Sequence, residues 1–196
     1  MDFEYPLKNV RLKQLEEAGF NVADWIYFPP NELDLVQLKE FFDKHGKLSC
    51  RTFHADEKRH FKGPFKFDVA SFKEVATFCA ENNKNWFTLC NEVLPEEKEG
   101  FTGNIRLEDR ISYMVEYWDG CESPRNIEHK SAEELKRFHR EFGIPLPEDA
   151  PRPLVEIAGR FGHFLPESRP IILEFNIYPY PVGRRQRPDV FWEWRK

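Results

Sequence analysis

Two side chains with metal-binding oxygen atoms lie close together in the segment Pro170–Pro179. β-Forming residues fill this segment and prolines bracket it, which predicts a strand. Because side chains alternate across a strand, Leu173 and Phe175 share one face. Glu174 and Asn176 then share the opposite face, where their oxygen atoms converge. Oxygen ligands of this kind bind Mg²⁺ beside nucleotide phosphates, so the pair is a candidate metal site.

A second strand is predicted at Asp189–Arg195. Alternation places Phe191, Glu193 and Arg195 on one of its faces. If the two strands pair as a hairpin, Glu193 comes to lie opposite Glu174 and supplies a third metal ligand. The other interpretation is a half-solvated hairpin whose glutamates point to water, with Arg195 as an ion-pair partner. The pattern alone leaves both interpretations open.

Basic residues occur in two places that suit an anion. Arg51 lies in the predicted strand Lys47–Phe53, and a guanidinium in a partly buried strand is costly unless it meets an anion. That anion is either a nucleotide phosphate or a neighbouring carboxylate. Arg184, Arg185 and Arg187 form a second group at the tip of the C-terminal hairpin, which either binds an anionic acceptor or is only solvated.

Composition excludes several classes of protein. The 196 residues carry a net charge of -5, which argues against general nucleic-acid binding. No apolar run approaches the ~20 residues of a membrane span, and the N-terminus does not resemble a signal peptide. The four cysteines lack a C-x-x-C pair, so we expect reduced, buried thiols in a cytoplasmic protein rather than zinc or disulfides. A weaker alternative uses the aromatic residues and hairpin arginines to bind single-stranded nucleic acid.

Helices are predicted from caps and hydrophobic spacing. Asn31 is a candidate N-cap, and capping boxes begin at Ser71 and Ser131. The last of these predicted helices runs through Phe138 to Phe142. Leu154, Ile157, Ala158 and Phe161 predict one more amphipathic helix, which leads to the strand of Glu174.

Strands fill the spaces between these helices. Trp86–Leu94 is nearly free of charge, as a buried strand is. Residues 101–107 and 111–118 predict an antiparallel pair, and Pro95–Gly100 separates two similar halves of the chain. The order of elements is typical of an α+β fold, with an N-terminal lobe at 1–94 and a C-terminal lobe at 95–196.

Five short segments resemble motifs of one superfamily. They are residues 7–22, with Lys8, spaced leucines and a glycine turn; 47–52, with Arg51; 89–94, with Asn91 and Glu92; 173–176, with Glu174-Phe-Asn176; and 191–195, with Glu193. Together they are similar to the ATP-grasp superfamily, and most of all to the nucleotide-binding domain of pyruvate phosphate dikinase and phosphoenolpyruvate synthase.

The resemblance implies a two-lobed ATP-grasp-like α+β fold, each lobe a small, mostly antiparallel sheet with helices, which binds ATP and Mg²⁺. The implied metal ligands are Glu174, Asn176 and Glu193. The implied nucleotide contacts are Lys8 and Arg51 at the phosphates, and Asn91 and Glu92 at adenine and ribose. Arg51 and Glu174 are the implied catalytic residues.

Three departures from the dikinase pattern limit the reaction. Glycines are missing before Lys8, no small-residue run follows the strand of Arg51, and the sequence ends after the metal strand without a phosphohistidine domain. We therefore expect an ATP-dependent ligase or phosphotransferase acting on an unidentified anionic acceptor, for example by carboxylate activation. The alternative is a non-catalytic module with a degenerate ATP-grasp fold that binds a nucleotide or a partner protein.

Overall fold

A computed structural model describes residues 8–54, 63–107, 112–122, 134–140, 145, 147–161, 171–183 and 185–195. The elements in this part of the chain are α1 (Lys8–Glu17), β1 (Trp25–Phe28), α2 (Leu35–His45), β2 (Leu48–Phe53), β3 (Phe65–Val69), α3 (Phe72–Asn82), β4 (Phe87–Glu92), β5 (Glu97–Leu107), β6 (Tyr113–Cys121), β7 (Lys136–Arg140), α4 (Arg152–Phe161), β8 (Ile171–Ile177) and β9 (Asp189–Arg195). None of the described helices is long and apolar enough to cross a membrane.

The chain folds as two compact units. The first comprises the chain up to Arg11 together with Ala23–Val93, and the second comprises Leu12–Val22 and Leu94–Lys196. The division into lobes at 1–94 and 95–196 stays a prediction. Much of the predicted boundary segment Pro95–Gly100 is strand in the structure, because β5 already begins at Glu97 and pairs there with Cys121.

The first unit is built on a four-stranded antiparallel sheet in the order β1-β4-β2-β3. Its core forms where one face of the sheet meets α2 and α3, with Leu48 and Cys50 from β2, Leu38 from α2 and Val75 from α3 buried together. The predicted strand of residues 86–94 is confirmed as β4, in the middle of the sheet.

Caps fix the two helices of this unit. The predicted cap at Ser71 is confirmed, since its side chain accepts a hydrogen bond from the backbone N–H of Glu74. The predicted cap at Asn31 is wrong: α2 begins after Asp34, whose side chain accepts from the N–H groups of Val36 and Gln37. Asp34 is an equally good cap, and Asn31 instead adopts a left-handed conformation with φ 62°.

The second unit is built on a five-stranded antiparallel sheet in the order β7-β6-β5-β8-β9. One face of the sheet is apolar, as shown by a row of register partners that are all buried: Phe138, Val115, Ile105 and Leu173. Helix α4 contacts β6 and buries Leu154 and Ile157. The apolar face therefore forms the core of this unit, and the opposite face is left for polar side chains.

The helix predicted from Ser131 to Phe142 is wrong over its described part. Lys136–Arg140 is β7, an edge strand that pairs antiparallel with residues 113–117 of β6. In β7 only Phe138 is buried, and the residues on either side of it are exposed. This alternation satisfies a strand, and pairing with β6 overrides the local capping signal. Ser131 and Phe142 themselves lie outside the described residues.

Candidate functional site

Strand β8 places Glu174 and Asn176 as the sequence predicted. Leu173 and Phe175 are fully buried in the core of the second unit. Glu174 and Asn176 alternate with them and therefore lie on the other, polar face of the sheet. The prediction of a strand with an apolar face and an oxygen-bearing face is confirmed for this segment.

The pairing of β8 with β9 brings Glu193 to the register position opposite Glu174, as the hairpin prediction required. A β-bulge interrupts the ladder there, because the next pair is Phe175 with Phe191 and Trp192 is the extra residue. The prediction that Phe191 and Glu193 share a face rested on strict alternation between them, and the bulge breaks that alternation. Arg195 pairs with Ile172. The side chains of residues 193–195 lie outside the described part of the structure.

A polar row runs across the sheet from Glu174, and sequence reasoning missed most of it. Asn104 in β5 is the register partner of Glu174, Glu116 in β6 is the partner of Asn104, and Arg137 in β7 is the partner of Glu116. Direct cross-strand partners share a face of the sheet, so these side chains share the face of the candidate metal pair, and Asn104 is the one directly beside Glu174. The alternation of Thr102, Asn104 and Arg106 with apolar or small residues was the available signal.

Two amide oxygens on this face have no hydrogen-bond partner within the described residues. Asn176 donates through Nδ2 to the backbone oxygen of Glu122 at 3.1 Å and to the hydroxyl oxygen of Tyr178 at 3.3 Å. These two bonds fix the orientation of the amide, and its Oδ1 atom is buried without a partner. The Oδ1 atom of Asn104 is buried without a partner as well.

Such oxygen atoms fit a hard cation. A buried acceptor left without a partner costs about 1–3 kcal/mol, and a bound metal ion removes that cost. Carboxylate and amide oxygens are the ligands that Mg²⁺ accepts. The residues of this face therefore fit the metal that the sequence implied.

Charged side chains of both signs occupy the polar row. The carboxylate of Glu116 already has a partner, since its Oε1 atom lies 2.6 Å from Nε of Arg137. Glu174 and Glu193 occupy directly opposed positions, where like charges are destabilising.

In the first unit, Arg51 and Asn91 lie on the face of the sheet that does not pack on the helices. Their neighbours Cys50 and Cys90 belong to the helix-covered core, and alternation turns Arg51 and Asn91 the other way. Arg51 is half-buried, and Asn91 is 3% exposed with an Oδ1 atom that has no hydrogen-bond partner in the described chain.

Aromatic rings share this face with Arg51 and Asn91. Phe53 and Phe87 are register partners, and their rings stack with centroids 5.3 Å apart. Tyr27 stacks on Phe87 at 5.8 Å. The face thus combines aromatic surface with a guanidinium and a carboxamide, which are groups that suit a base and an anion.

Glu92 lies on the opposite face of β4 from Asn91. Its Oε1 atom accepts a hydrogen bond of 2.6 Å from the backbone N–H of Asp24, and its Oε2 atom lies 3.3 Å from Nδ1 of His45. Both carboxylate oxygens therefore hold parts of the first unit together. The nucleotide role of Glu92 stays a prediction, as does that of Lys8, which is the first residue of α1.

The arginines near the hairpin tip hold backbone in place. Arg185 donates to the backbone oxygen of Val22 at 2.9 Å, and Arg187 donates to that of Gly19 at 2.6 Å. The segment that they fasten also pairs with β9 through Val22 and Phe191. Sequence reasoning missed this structural role. Arg184 lies outside the described residues, and binding of an anionic acceptor by this group stays a prediction.

The four cysteines are buried and free, as expected. Three of them, Cys50, Cys79 and Cys90, meet in the core of the first unit. Hydrogen bonds with Cys50 and Cys90 lower the pKa of Cys79, whereas hydrogen bonds with Cys50 and Cys79 raise the pKa of Cys90. Burial raises the pKa of Cys121, in the second unit, to about 12.

No family model matches the chain, and no curated protein sequence is significantly similar to it. Solved structures are similar in fold. D-alanine–D-alanine ligase from Bacillus anthracis superposes with a TM-score of 0.52 at 12% identity, over 96% of this chain and 55% of that one. A RiPP-associated ATP-grasp ligase from Chryseobacterium gregarium, in complex with ADP and a leader and core peptide, gives 0.53 at 13%, over 95% and 50%. The ATP-grasp ligase PsnB, complexed with a minimal precursor, Mg and ADP, gives 0.50 at 14%, over 95% and 48%.

At these identities the likeness concerns the fold alone. The chain has an α+β, ATP-grasp-like fold with two antiparallel sheets, as the sequence predicted. It spans about half the length of the solved structures that it matches.

Proposed function

We propose that the chain binds ATP together with Mg²⁺ and transfers a phosphoryl group to an acceptor oxygen, as in the activation of a carboxylate for ligation. The observation that carries the proposal is the oxygen-lined face of the second sheet. There, Glu174 lies between two asparagines, Asn104 and Asn176, whose buried amide oxygens have no partner in the described chain. The similarity of the fold to ATP-grasp ligases supports the same function.

On this proposal the second unit supplies the metal ligands. Glu174, Asn176 and Glu193 hold the cation, and Asn104 places a further amide oxygen beside them. Bound Mg²⁺ neutralises the charge on the phosphate oxygens as the phosphoryl group is transferred. The hydrogen bonds from Asn176 to Glu122 and Tyr178 keep its amide oxygen oriented before the ion binds, so little reorganisation is required.

The proposed contacts of the first unit are with the nucleotide itself. Arg51 neutralises nonbridging phosphate oxygens, with Lys8 as a second cation, and Asn91 and Glu92 contact adenine and ribose. Arg51 and Asn91 lie on one face, beside the stacked rings of Phe53 and Phe87. This position supports the phosphate role of Arg51 and the adenine and ribose role of Asn91. Glu92 is the weakest member, because both of its carboxylate oxygens are already engaged.

The acceptor is proposed to be a carboxylate-bearing molecule. The three solved structures named above are ligases, and two of them were determined with ADP and a peptide or precursor. A ligase-type reaction therefore has more support than the dikinase reaction. The finer resemblance to the nucleotide-binding domain of pyruvate phosphate dikinase stays a prediction.

The test is Mg²⁺-dependent ATP binding in wild type and in Glu174→Gln, a substitution that keeps the shape and removes the charge. In wild type, ATP at a hundredfold excess over Kd should raise the free energy of unfolding by about 2.7 kcal/mol, and removal of Mg²⁺ should lower that gain. Glu174→Gln should lose the Mg²⁺-dependent part of the gain. Thermal unfolding and isothermal titration calorimetry measure both quantities.

Glu116→Gln is the matched control. It removes a carboxylate from the same polar row, but one that lies two strands away from Glu174 and contacts Arg137, so it should keep the full dependence on Mg²⁺. Equal Mg²⁺ dependence in wild type and Glu174→Gln would contradict the metal assignment. Binding of ATP without release of ADP, measured with a panel of carboxylate acceptors, would favour the non-catalytic binding module.

A further inference from the structure

Three thiols from three different elements converge in the core of the first unit. Cys50 in β2 and Cys90 in β4 are register partners, and their sulfur atoms lie 2.8 Å apart. Cys79 in α3 places its sulfur 3.7 Å from that of Cys90. The three sulfur atoms all lie within 4.8 Å of one another, so a single small ion can contact all of them.

The surroundings of this thiol cluster are apolar and buried. The three cysteines are at most 1% exposed, and Leu48, Val75 and Phe78 belong to the same core. In the part of the chain that the structure describes, no histidine or carboxylate joins the cluster as a further metal ligand. Within the described residues, the cluster therefore offers three sulfur ligands and no fourth.

We infer that Cys50, Cys79 and Cys90 bind one soft monovalent metal ion, Cu⁺, in a three-coordinate sulfur site, and that the thiol protons displaced by the ion are released to solvent. Thiolate ligands select soft ions such as Cu⁺, Zn²⁺ and iron–sulfur clusters over hard ions. Structural zinc takes four protein ligands, and catalytic zinc keeps an open position for water. A buried cluster of three sulfurs satisfies neither arrangement.

The geometry requires only small adjustments. With metal–sulfur bonds of about 2.3 Å, a planar three-coordinate site places its sulfur atoms about 4 Å apart. The separation of Cys79 and Cys90 is already close to this value. Cys50 and Cys90 must move apart by about 1 Å, within reach of a rotation about χ1. The bound ion would then cross-link β2, β4 and α3.

A disulfide between Cys50 and Cys90 is the competing arrangement. Directly opposed cysteines on antiparallel strands have Cα separations that a disulfide accepts. Such a bond would leave the thiol of Cys79 beside it, poised for exchange. The metal site uses all three sulfur atoms. It therefore explains better than the disulfide why Cys79 also lies beside Cys50 and Cys90.

The experiment is an anaerobic competition for Cu⁺ between the full chain and a chromophoric chelator such as bicinchoninate. Wild type should withdraw one Cu⁺ per chain, and X-ray absorption should show three sulfur neighbours at about 2.3 Å. Cys79→Ala and Cys50→Ala should each lose this binding. Circular dichroism and cooperative unfolding establish that each variant is folded. Two variants are used so that the test can still be made if one of them does not fold.

Cys121→Ala is the matched control, because it removes a buried thiol from the second unit and should bind Cu⁺ like wild type. Failure of wild type to compete with the chelator would overturn the inference. Undiminished binding by Cys79→Ala would also do so, since the site would then be two-coordinate. A wild-type mass lower by two hydrogen atoms under non-reducing conditions would establish the disulfide instead.

Discussion

The amide oxygens of Asn104 and Asn176 are costly for a folded chain. Each is buried, and neither finds a hydrogen-bond donor among the described residues. In Asn176 the two hydrogen bonds of Nδ2 leave no freedom to turn the amide around. A residue that lowers stability in this way is typical of a binding site, where the missing partner is the ligand.

The substitution Asn104→Leu distinguishes the effect of Asn104 on stability from its effect on Mg²⁺-dependent ATP binding. Replacing an amide whose buried Oδ1 atom lacks a partner in the described chain by an apolar side chain of similar size should leave the free energy of unfolding unchanged or raise it, by up to about 1 kcal/mol. The same substitution should reduce the stabilisation by ATP that depends on Mg²⁺. Urea unfolding with and without Mg-ATP measures both effects. A loss of stability together with unchanged response to Mg-ATP would assign Asn104 a structural role.

At the scale of elements, β5 holds the candidate site against β8, and its close contacts depend on Gly103. A Cβ atom at this position would lie 2.2 Å from the backbone oxygen of Glu116, 2.9 Å from Cα of Tyr117 and 3.0 Å from the ring of Phe175. The first two atoms belong to the backbone of β6 and cannot turn away. Only glycine fits here while the register of Asn104 with Glu116 and Glu174 is kept.

Gly103→Ala should therefore lower the free energy of unfolding by about 1–3 kcal/mol, because it overpacks the sheet. The response to Mg-ATP should fall as well, since β5 must shift and carries Asn104 with it. Adding Phe175→Leu tests the cause, because it removes only the side-chain contact. We expect no recovery of stability in the double variant by equilibrium unfolding, and a full recovery would show that the ring, not the backbone, is the obstacle.

The sequence predicted those parts of the site that depend on one strand or on two neighbouring segments. The alternation within β8 placed Glu174 and Asn176 together, and pairing of the two strands as a hairpin, which the sequence left as a condition, brings Glu193 opposite Glu174. The bulge at Trp192 was not predictable, because it depends on packing between β8 and β9. Asn104 was missed for a similar reason: its pairing with Glu174 joins positions about seventy residues apart, and only the fold decides that register.

Local signals misled where tertiary contacts outweighed them. Ser131 begins a sequence typical of a capped helix, but residues 136–140 gain more from pairing with β6 as an edge strand. Asn31 and Asp34 are both of residue types that cap helices well, and the structure uses Asp34. The meeting of Cys50, Cys79 and Cys90 was also beyond local reasoning, because their spacing matches no metal-binding motif and only the packing of α3 on the sheet brings them together.

On the scale of the whole molecule, the two units present opposite kinds of ligand. The second unit carries carboxylate and amide oxygens on the polar face of its sheet, and the first carries three sulfur atoms in its core. Hard ions prefer the former and soft ions the latter. The proposed Mg²⁺ and Cu⁺ sites are therefore chemically independent, and failure of one proposal leaves the other in place.

Alkylation of the cysteines tests the burial of both cores in one experiment, because the first unit contains Cys50, Cys79 and Cys90 and the second contains Cys121. All four cysteines are buried, so we expect iodoacetamide at pH 8 to modify none of them in the native protein and all of them in denaturant. Cys121 has a second reason to resist, because burial raises its pKa to about 12 from an ordinary value of 9.0 and keeps it in the unreactive thiol form. Peptide mapping after partial denaturation assigns each modification to its unit.

The raised pKa of Cys121 also predicts a direction for stability against pH. The unfolded chain loses the thiol proton near pH 9, whereas the folded chain keeps it up to about pH 12. The contribution of this residue is therefore fully present below pH 9 and is lost as the pH rises toward 12. Wild type should lose free energy of unfolding over this range more steeply than Cys121→Ala, as measured by urea unfolding at each pH. Parallel curves for the two proteins, or rapid alkylation of native Cys121 at pH 8, would show that the thiol ionises freely in the folded state.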